Sequence, residues 1–170
     1  SNFDSAADTD DGSCLYTVTF TVDMNCYTDA FTTVYVTGPF AGWCGDCFPL
    51  SDADGDGVWE ATYDFPAGDL EYKYALDNWV HQEDLIDDMV NGGTCAPITD
   101  YWSFANRLVT VTNSINSTND NYGSCDACIP AVLGCTDPAA DNYDALATQD
   151  DGSCYFLGCT DATADNYDTS

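Results

Sequence analysis

WEATYDFPAGDLEYKYAL, residues 59–76, is the stretch from which the fold class of this chain follows. Apolar side chains occupy alternate positions on both sides of a short turn, Pro66-Ala67-Gly68. Because a strand turns successive side chains to opposite faces, this alternation predicts two half-buried antiparallel strands joined by a tight turn. The expected inward residues are Trp59, Ala61, Tyr63 and Phe65 in the first strand, and Leu70, Tyr72, Tyr74 and Leu76 in the second.

Shorter apolar patterns surround this predicted hairpin. They comprise Val18, Phe20, Val22 and Met24, the stretch 31–37, and Val109 and Val111 within 101–112. The segment Asp84–Val90 is compatible with one short turn of helix. Many short strands separated by turns rich in Gly, Pro and Asp are typical of an all-β sandwich. We therefore expect one β-sandwich domain over residues 15–133.

The segment Gly38–Trp79 carries four motifs at fixed order: G-x-F-x-x-W, D-G-x-W, P-x-G and Y-K-Y followed by a Trp. It resembles the early-set immunoglobulin-like modules that bind starch or glycogen. The resemblance implies an immunoglobulin-like sandwich whose sugar contacts come from Trp43, Lys73 and Trp79. The alternative is structural, because buried aromatic rings are also the expected core of a sandwich. That alternative applies to all four tryptophans: Trp43, Trp59, Trp79 and Trp102.

A closer resemblance is to cysteine-containing versions of this module in secreted proteins of aquatic bacteria. It rests on a C-G-x-C motif, a later lone Cys, an Asn-Arg pair and a terminal S-C-x-x-C. Cys26 lies outside that pattern, so the disulfide pairing of the sandwich stays open. The two C-x-x-C motifs could also bind zinc, but their separation and the secreted context favour disulfides. The cysteines concerned are Cys26, Cys44, Cys47, Cys95, Cys125 and Cys128.

A small acidic motif flanks the predicted sandwich. GCTDPAADNYDALATQDDGSC, residues 134–154, is repeated in its first half at 158–169 and in its second half at 2–14. It resembles the repeat arrays of very long secreted and surface proteins of aquatic bacteria. We expect half a repeat at 1–14, a complete one at 134–157 and another half at 158–170. Since the complete repeat has little core, a bond between Cys135 and Cys154 is expected to stabilise it by about 3 kcal/mol.

Acidic side chains in turn-like positions form candidate calcium ligands, because Ca²⁺ prefers six to eight oxygen atoms. The alternative is that Asp and Asn cap turns by accepting hydrogen bonds from backbone N–H groups. In the loop between strands the candidates are Asp52, Asp54, Asp56 and Glu60. In the repeats they are Asp137, Asn142, Asp144, Asp150 and Asp151, with Asn2, Asp4, Asp10, Asp11, Asp161, Asn166 and Asp168 in the half repeats.

Composition narrows the possible partners. Thirty acidic residues face two basic ones, which gives a formal net charge of −28. This excess disfavours nucleic acids and anionic membranes and favours divalent cations. No apolar stretch approaches the ~20 residues of a membrane span.

Ten cysteines indicate disulfides in an oxidising, extracellular compartment. The sequon at Asn116 predicts glycosylation of an exposed loop.

Two functional hypotheses remain, and neither is enzymatic, because the single histidine leaves triads and His-metal sites incomplete. The first is a structural filament or surface subunit. Its units would join head to tail as Cys159 of one molecule bonds Cys14 of the next, with Ca²⁺ shared at the joint. A variant of it makes this chain one segment of a longer protein with adjacent repeats. The second is a carbohydrate-binding module of a secreted enzyme or adhesin, with glycans as partners.

Overall fold

The structure, a computed structural model, describes residues 14–129 and 131–159. The chain divides into two compact units, with the boundary between Cys128 and Ile129. The strands of the first unit are β1 (Leu15–Asp23), β2 (Val34–Thr37), β3 (Val58–Pro66), β4 (Gly68–Leu76), β5 (His81–Gln82), β6 (Ile98–Thr99), β7 (Ala105–Val111), β8 (Asn116–Ser117) and β9 (Asp120–Asn121). It also contains a 3-10 turn, Pro39–Ala41, and helix α1, Ile86–Val90. The second unit contains β10 (Leu133–Gly134) and β11 (Gln149–Asp150).

The first sheet is built on β1. This strand pairs antiparallel with β3 along its whole length, from Leu15 opposite Pro66 to Asp23 opposite Val58. Its other edge pairs in parallel with the short strands β8 and β9. Alternate residues of β1 (Val18, Phe20 and Val22) are completely buried, as their spacing predicts.

The second sheet has the order β2-β4-β7-β6, with β5 added at the end of β4. All its pairings are antiparallel. Side chains Tyr72, Tyr74 and Leu76 of β4 enter the core, so Glu71 and Lys73 point to the opposite face of this sheet.

The hydrophobic core is formed by residues of both sheets. Phe20 meets Phe65 and Tyr72 edge to face, with ring centroids 6.0 and 5.2 Å apart, a favoured arrangement for aromatic pairs. A smaller cluster packs α1 through Leu85 and Met89 against Ala105 of β7. The expected fold class, an all-β immunoglobulin-like sandwich, is confirmed.

A buried ion network links the two sheets. Arg107 of β7 is 1% exposed and lies 2.6 Å from a carboxylate oxygen of Glu83 and 2.8 Å from one of Asp120 in β9. Burial alone would lower the pKa of Arg107, but the charge of Glu83 reverses this and raises it. Tyr72 and Tyr74 donate hydrogen bonds to the Asp120 carboxylate, each 2.9 Å long.

Four disulfides are present in the described part of the chain. They join Cys26 to Cys128, Cys44 to Cys47, Cys95 to Cys125 and Cys135 to Cys154. Because the cysteines of the second C-x-x-C motif pair with Cys95 and Cys26, the two motifs do not form a zinc site. Four disulfides indicate an oxidising compartment. The expected link between Cys159 and Cys14 of another molecule stays a prediction.

The second unit holds its chain together with few buried residues. Cys135 and Ala140 are its only buried apolar residues in the described part, and β10 and β11 form a parallel pair. The bond from Cys135 to Cys154 spans 19 positions, a loop for which closure contributes about 3 kcal/mol. Over the described residues of both units, every helix is too short or too polar to span a membrane.

Candidate functional site

The outer face of the second sheet carries a concave site of about 420 Å³. Glu71 and Lys73 of β4 and Asn106 of β7 share this face, because Tyr72 and its register partner Arg107 both point inward. Gln82 of the short strand β5 extends the same surface. The remaining walls come from three loops, and the complete lining is Trp43, Glu71, Lys73, Trp79, Gln82, Ser103, Phe104 and Asn106. The structure thus brings the three predicted sugar contacts into one cavity.

Lys73 supplies the first polar group of the site. The residue is only 8% exposed. Among the described residues its ammonium group takes part in no ion pair, since both ion pairs there belong to Arg107. Burial lowers the pKa of Lys73, although the more distant charges of Glu83, Asp84 and Glu71 act in the opposite direction. Because Lys73 lines the cavity and has no ion-pair partner among the described residues, its ammonium group is available to donate hydrogen bonds to a ligand.

Asn106 supplies the second polar group of the site. It is 5% exposed, and its Nδ2 donates a 2.7 Å hydrogen bond to Glu71 Oε1. Its Oδ1 is buried and accepts no hydrogen bond within the described part of the chain. The carboxylate of Glu71 accepts only, so it holds the amide with the nitrogen toward Glu71.

Trp43 and Trp79 lie in different loops, line the same cavity and contact each other. The indole Nε1 of Trp79 donates a 3.1 Å hydrogen bond to the backbone oxygen of Trp43. Trp43 is 37% exposed, so it is not a core residue. Trp79 also lies against Gly45, where a Cβ atom would come within 2.3 Å of the indole Cδ1. Glycine is therefore required at this close approach.

The turn that carries Trp79 is conformationally strained. Asp77, Asn78 and Trp79 all have positive φ angles, 48, 54 and 68°. Each left-handed residue other than glycine costs roughly 1–2 kcal/mol, and such strain clusters at functional sites. The carboxylate of Asp77 fixes the turn by accepting hydrogen bonds from the backbone N–H and hydroxyl groups of Thr32 and Thr33. These bonds, with those from Thr32 first, lower the pKa of Asp77.

A third loop, 99–104, completes the wall. Asp100 Oδ1 accepts hydrogen bonds from the backbone N–H groups of Trp102, Ser103 and Phe104, at 2.8, 2.6 and 3.3 Å. These bonds lower the pKa of Asp100 to about 2. The loop presents Trp102 with 87% of its surface exposed, which excludes a core role for this residue. Trp59, by contrast, packs partly buried against the core.

Apart from Lys73, the polar groups of this site were not predicted from the sequence. Glu71, Gln82 and Asn106 were not predicted, and neither were Ser103 and Phe104. A signal for Glu71 was present, because the predicted inward direction of Tyr72 and Tyr74 requires Glu71 and Lys73 to share the outer face. Asn106 could have been placed in the same way from the inward direction of Val109 and Val111.

The acidic loop between strands was the first candidate calcium site. Carboxylate oxygens of Asp52, Asp54 and Asp56 lie within 4.8 Å of one another, whereas Glu60 is not part of this group. Asp52 already accepts hydrogen bonds from the backbone N–H groups of Gly55, Asp56 and Gly57. It therefore serves as a turn cap. Calcium binding by this loop stays a prediction.

The predicted calcium ligands of the complete repeat also act as turn caps. Asp137, Asp144, Asp150 and Asp151 each accept a bond from the backbone N–H two residues later. Asn142 bridges two segments, with Nδ2 donating to Ser153 O and Oδ1 accepting from Tyr155 N. In residues 131–159, no three acidic side chains converge as those of the 52–56 loop do. Asn2, Asp4, Asp10, Asp11, Asp161, Asn166 and Asp168 lie outside the described residues.

The predicted glycosylation site does not fit the folded chain. Asn116 lies in β8 and is only 6% exposed. Its Nδ2, the atom that would carry a glycan, donates hydrogen bonds to the backbone oxygens of Thr17, Thr112 and Ser114. The prediction of an exposed loop was wrong, because the side chain is used to join β8 to its neighbours.

The comparison with known proteins identifies a similarity over part of the first unit. No curated protein sequence matches the chain. Residues 17–89 match the family described as Carbohydrate-binding module 48 (Isoamylase N-terminal domain). The match begins in β1 and ends in α1, so it contains Trp43, Lys73 and Trp79. Within this region the chain is similar to an immunoglobulin-like carbohydrate-binding module.

Proposed function

We propose that this protein is a non-catalytic carbohydrate-binding module that holds an α-glucan chain in the cavity on the outer face of the second sheet. The observation that carries the proposal is the polar lining of the cavity, where among the described residues the buried Asn106 Oδ1 accepts no hydrogen bond and Lys73 has no ion-pair partner. A site that leaves polar groups unpaired needs a ligand to complete it. A neutral, hydroxyl-rich ligand can do this without adding charge to a strongly acidic protein.

The chemistry of the lining fits a sugar. Trp43 and Trp79 offer aromatic surface, which matches the apolar faces of pyranose rings, and Phe104 adds a third ring. Lys73 can donate to hydroxyl oxygens, while Gln82 and Asn106 can donate and accept. A pocket that combines apolar walls with a few convergent polar groups is typical of small-molecule sites.

The same lining argues against glycoside hydrolysis. That reaction uses two carboxyl groups on either side of the scissile bond. Among the described residues, Glu71 is the only acidic one that lines this cavity, and its Oε1 accepts a hydrogen bond from Asn106. The site is therefore equipped to bind a glycan and not to cleave one.

Isothermal titration with maltoheptaose tests the proposal. Wild-type protein is expected to give saturable heat with one site per chain. Trp43→Ala is expected to weaken binding by about tenfold or more, which corresponds to about 1.4 kcal/mol. Tyr155→Ala serves as the matched control, because Tyr155 is an exposed aromatic residue of the other unit. Absence of heat with wild-type protein, or equal losses in both variants, would overturn the proposal.

A further inference from the structure

We propose that the disulfide between Cys44 and Cys47 is a positioning element of the glycan site, which holds Trp79 in its binding orientation. This inference rests on the proposed function. The disulfide closes a loop of sequence CGDC directly after Trp43. Trp79 therefore contacts this loop at Gly45 and also the residue that precedes it, Trp43.

The contact between the loop and Trp79 is very close. Gly45 is buried, and a Cβ built on it would lie 2.3 Å from Cδ1 and 2.5 Å from Nε1 of Trp79. The indole therefore lies directly on the backbone of the disulfide loop. Any change in the path of residues 44–47 moves the surface against which Trp79 is seated.

The turn of Trp79 needs this support. Its three consecutive left-handed residues are held on one side by the hydrogen bonds from Thr32 and Thr33 to Asp77. At the other end, Trp79 itself is held by Gly45 and by the hydrogen bond to the Trp43 oxygen. A strained turn persists only when its surroundings fix it, so loss of the second anchor is expected to release Trp79.

The Cys44–Cys47 bond is expected to contribute little to the global stability of the fold. Its cysteines are three positions apart, compared with 102, 30 and 19 positions for the other three disulfides. Because the loss of unfolded-chain entropy grows with loop length, the Cys44–Cys47 bond constrains the unfolded chain least. Its effect is therefore expected in local geometry.

The test compares the double variant Cys44→Ser and Cys47→Ser with the double variant Cys135→Ser and Cys154→Ser. The first is expected to bind maltoheptaose roughly two- to tenfold more weakly, since an ordered aromatic side chain is released in the free protein. The second removes a disulfide of the other unit and is expected to leave the affinity unchanged. Unchanged affinity in the first variant would overturn the inference.

A second variant and a ligand-free measurement keep the two proposals separate. Gly45→Ala retains the disulfide but displaces Trp79, so it is expected to lose affinity to a similar extent. In heteronuclear NMR spectra without sugar, the indole N–H signal of Trp79 is expected to shift or broaden in both site variants. If wild-type protein binds no glucan but this signal responds, the function fails and the positioning role stands. An unchanged signal in both variants overturns the positioning role.

Discussion

Lys73 is a residue at which binding and stability oppose one another. The residue is 8% exposed, lines the cavity and has no ion pair in the described part of the chain. Lys73→Met keeps the length of the side chain and removes the charge. We expect the free energy of unfolding to rise by about 1 kcal/mol, because a desolvated charge is gone. The affinity for maltoheptaose is expected to fall by about tenfold or more.

Denaturant unfolding and calorimetric titration of the same Lys73→Met sample measure both quantities. Gln82→Met is the matched control, since Gln82 lines the cavity without carrying a charge. A Lys73→Met variant that is less stable than wild type and binds equally well would show that Lys73 serves the fold.

Arg107 differs from Lys73 because its charge is paired with the carboxylates of Glu83 and Asp120. Replacing it with Met would leave the buried carboxylate of Glu83 and that of Asp120 without their cation. We expect a loss of about 3–5 kcal/mol in the free energy of unfolding, measured by chemical denaturation. Asp69→Asn, which weakens only an exposed hydrogen bond to Thr110, is expected to cost less than about 0.5 kcal/mol. Similar losses in the two variants would contradict a structural role for the network.

Single residues of the site could be predicted from the sequence where they belong to a motif of a known family. Trp43, Lys73 and Trp79 were placed by a resemblance, and the structure puts all three in one cavity. The buried role of Arg107 was not predicted. Its spacing from Val109 and Val111 indicated an inward side chain, but the carboxylates that compensate its charge come from distant segments, which no local pattern reveals.

The turn from Asp77 to Trp79 is the structural element on which the site depends. Asp77 is charged when it accepts the bonds from Thr32 and Thr33, and these bonds lower its pKa. A carboxyl whose pKa is lower in the folded state stabilises that state above the ordinary pKa. That contribution is lost as the pH falls through the folded-state pKa. We expect glucan affinity to decrease below about pH 4.

Titrations with maltoheptaose between neutral and acidic pH measure this effect. Asp77→Asn is expected to bind more weakly than wild type at neutral pH and to lose less on acidification. Thr110→Ala, at an exposed pair far along β7, is the control. A wild-type affinity and an unchanged pH profile in Asp77→Asn would contradict the role given to the turn.

The length of β2 shows why element boundaries could not all be predicted. The apolar stretch 31–37 predicted a strand, but β2 begins at Val34. The backbone N–H groups of Thr32 and Thr33 donate to the Asp77 side chain and so leave the strand ladder. The long strands β1, β3 and β4 were predictable because their alternation extends over many residues. The two-residue strands β5, β6 and β8–β11 carry too few positions for a period to be recognised.

The whole molecule is dominated by its negative charge. A net charge of −28 on 170 residues opposes compaction, and salt screens this repulsion. The midpoint of thermal unfolding is expected to rise between about 10 mM and about 0.5 M NaCl. A midpoint that falls with salt would contradict the electrostatic argument.

At fixed ionic strength, Ca²⁺ is expected to raise the midpoint of thermal unfolding further than Mg²⁺ if the 52–56 loop binds calcium. Asp54→Asn is expected to abolish that difference.

The two functional hypotheses concern the whole molecule. The repeats in the sequence favoured a filament joined through Cys159 and Cys14, whereas the cavity and the family match support a carbohydrate-binding module. Most residues of the two half repeats lie outside the described part of the chain. The head-to-tail joint therefore stays a prediction, which non-reducing electrophoresis of the isolated protein can test.

The proposed glucan site is the cavity on the second sheet, where the sugar would lie between Trp43 and Trp79. Heteronuclear NMR during titration with maltoheptaose tests it most directly, because each of the four tryptophans contributes its own indole N–H signal. The signals of Trp43 and Trp79 are expected to move and saturate together, while that of Trp59, which packs against the core, stays in place. A titration in which the Trp43 and Trp79 signals do not move would contradict glucan binding in this cavity.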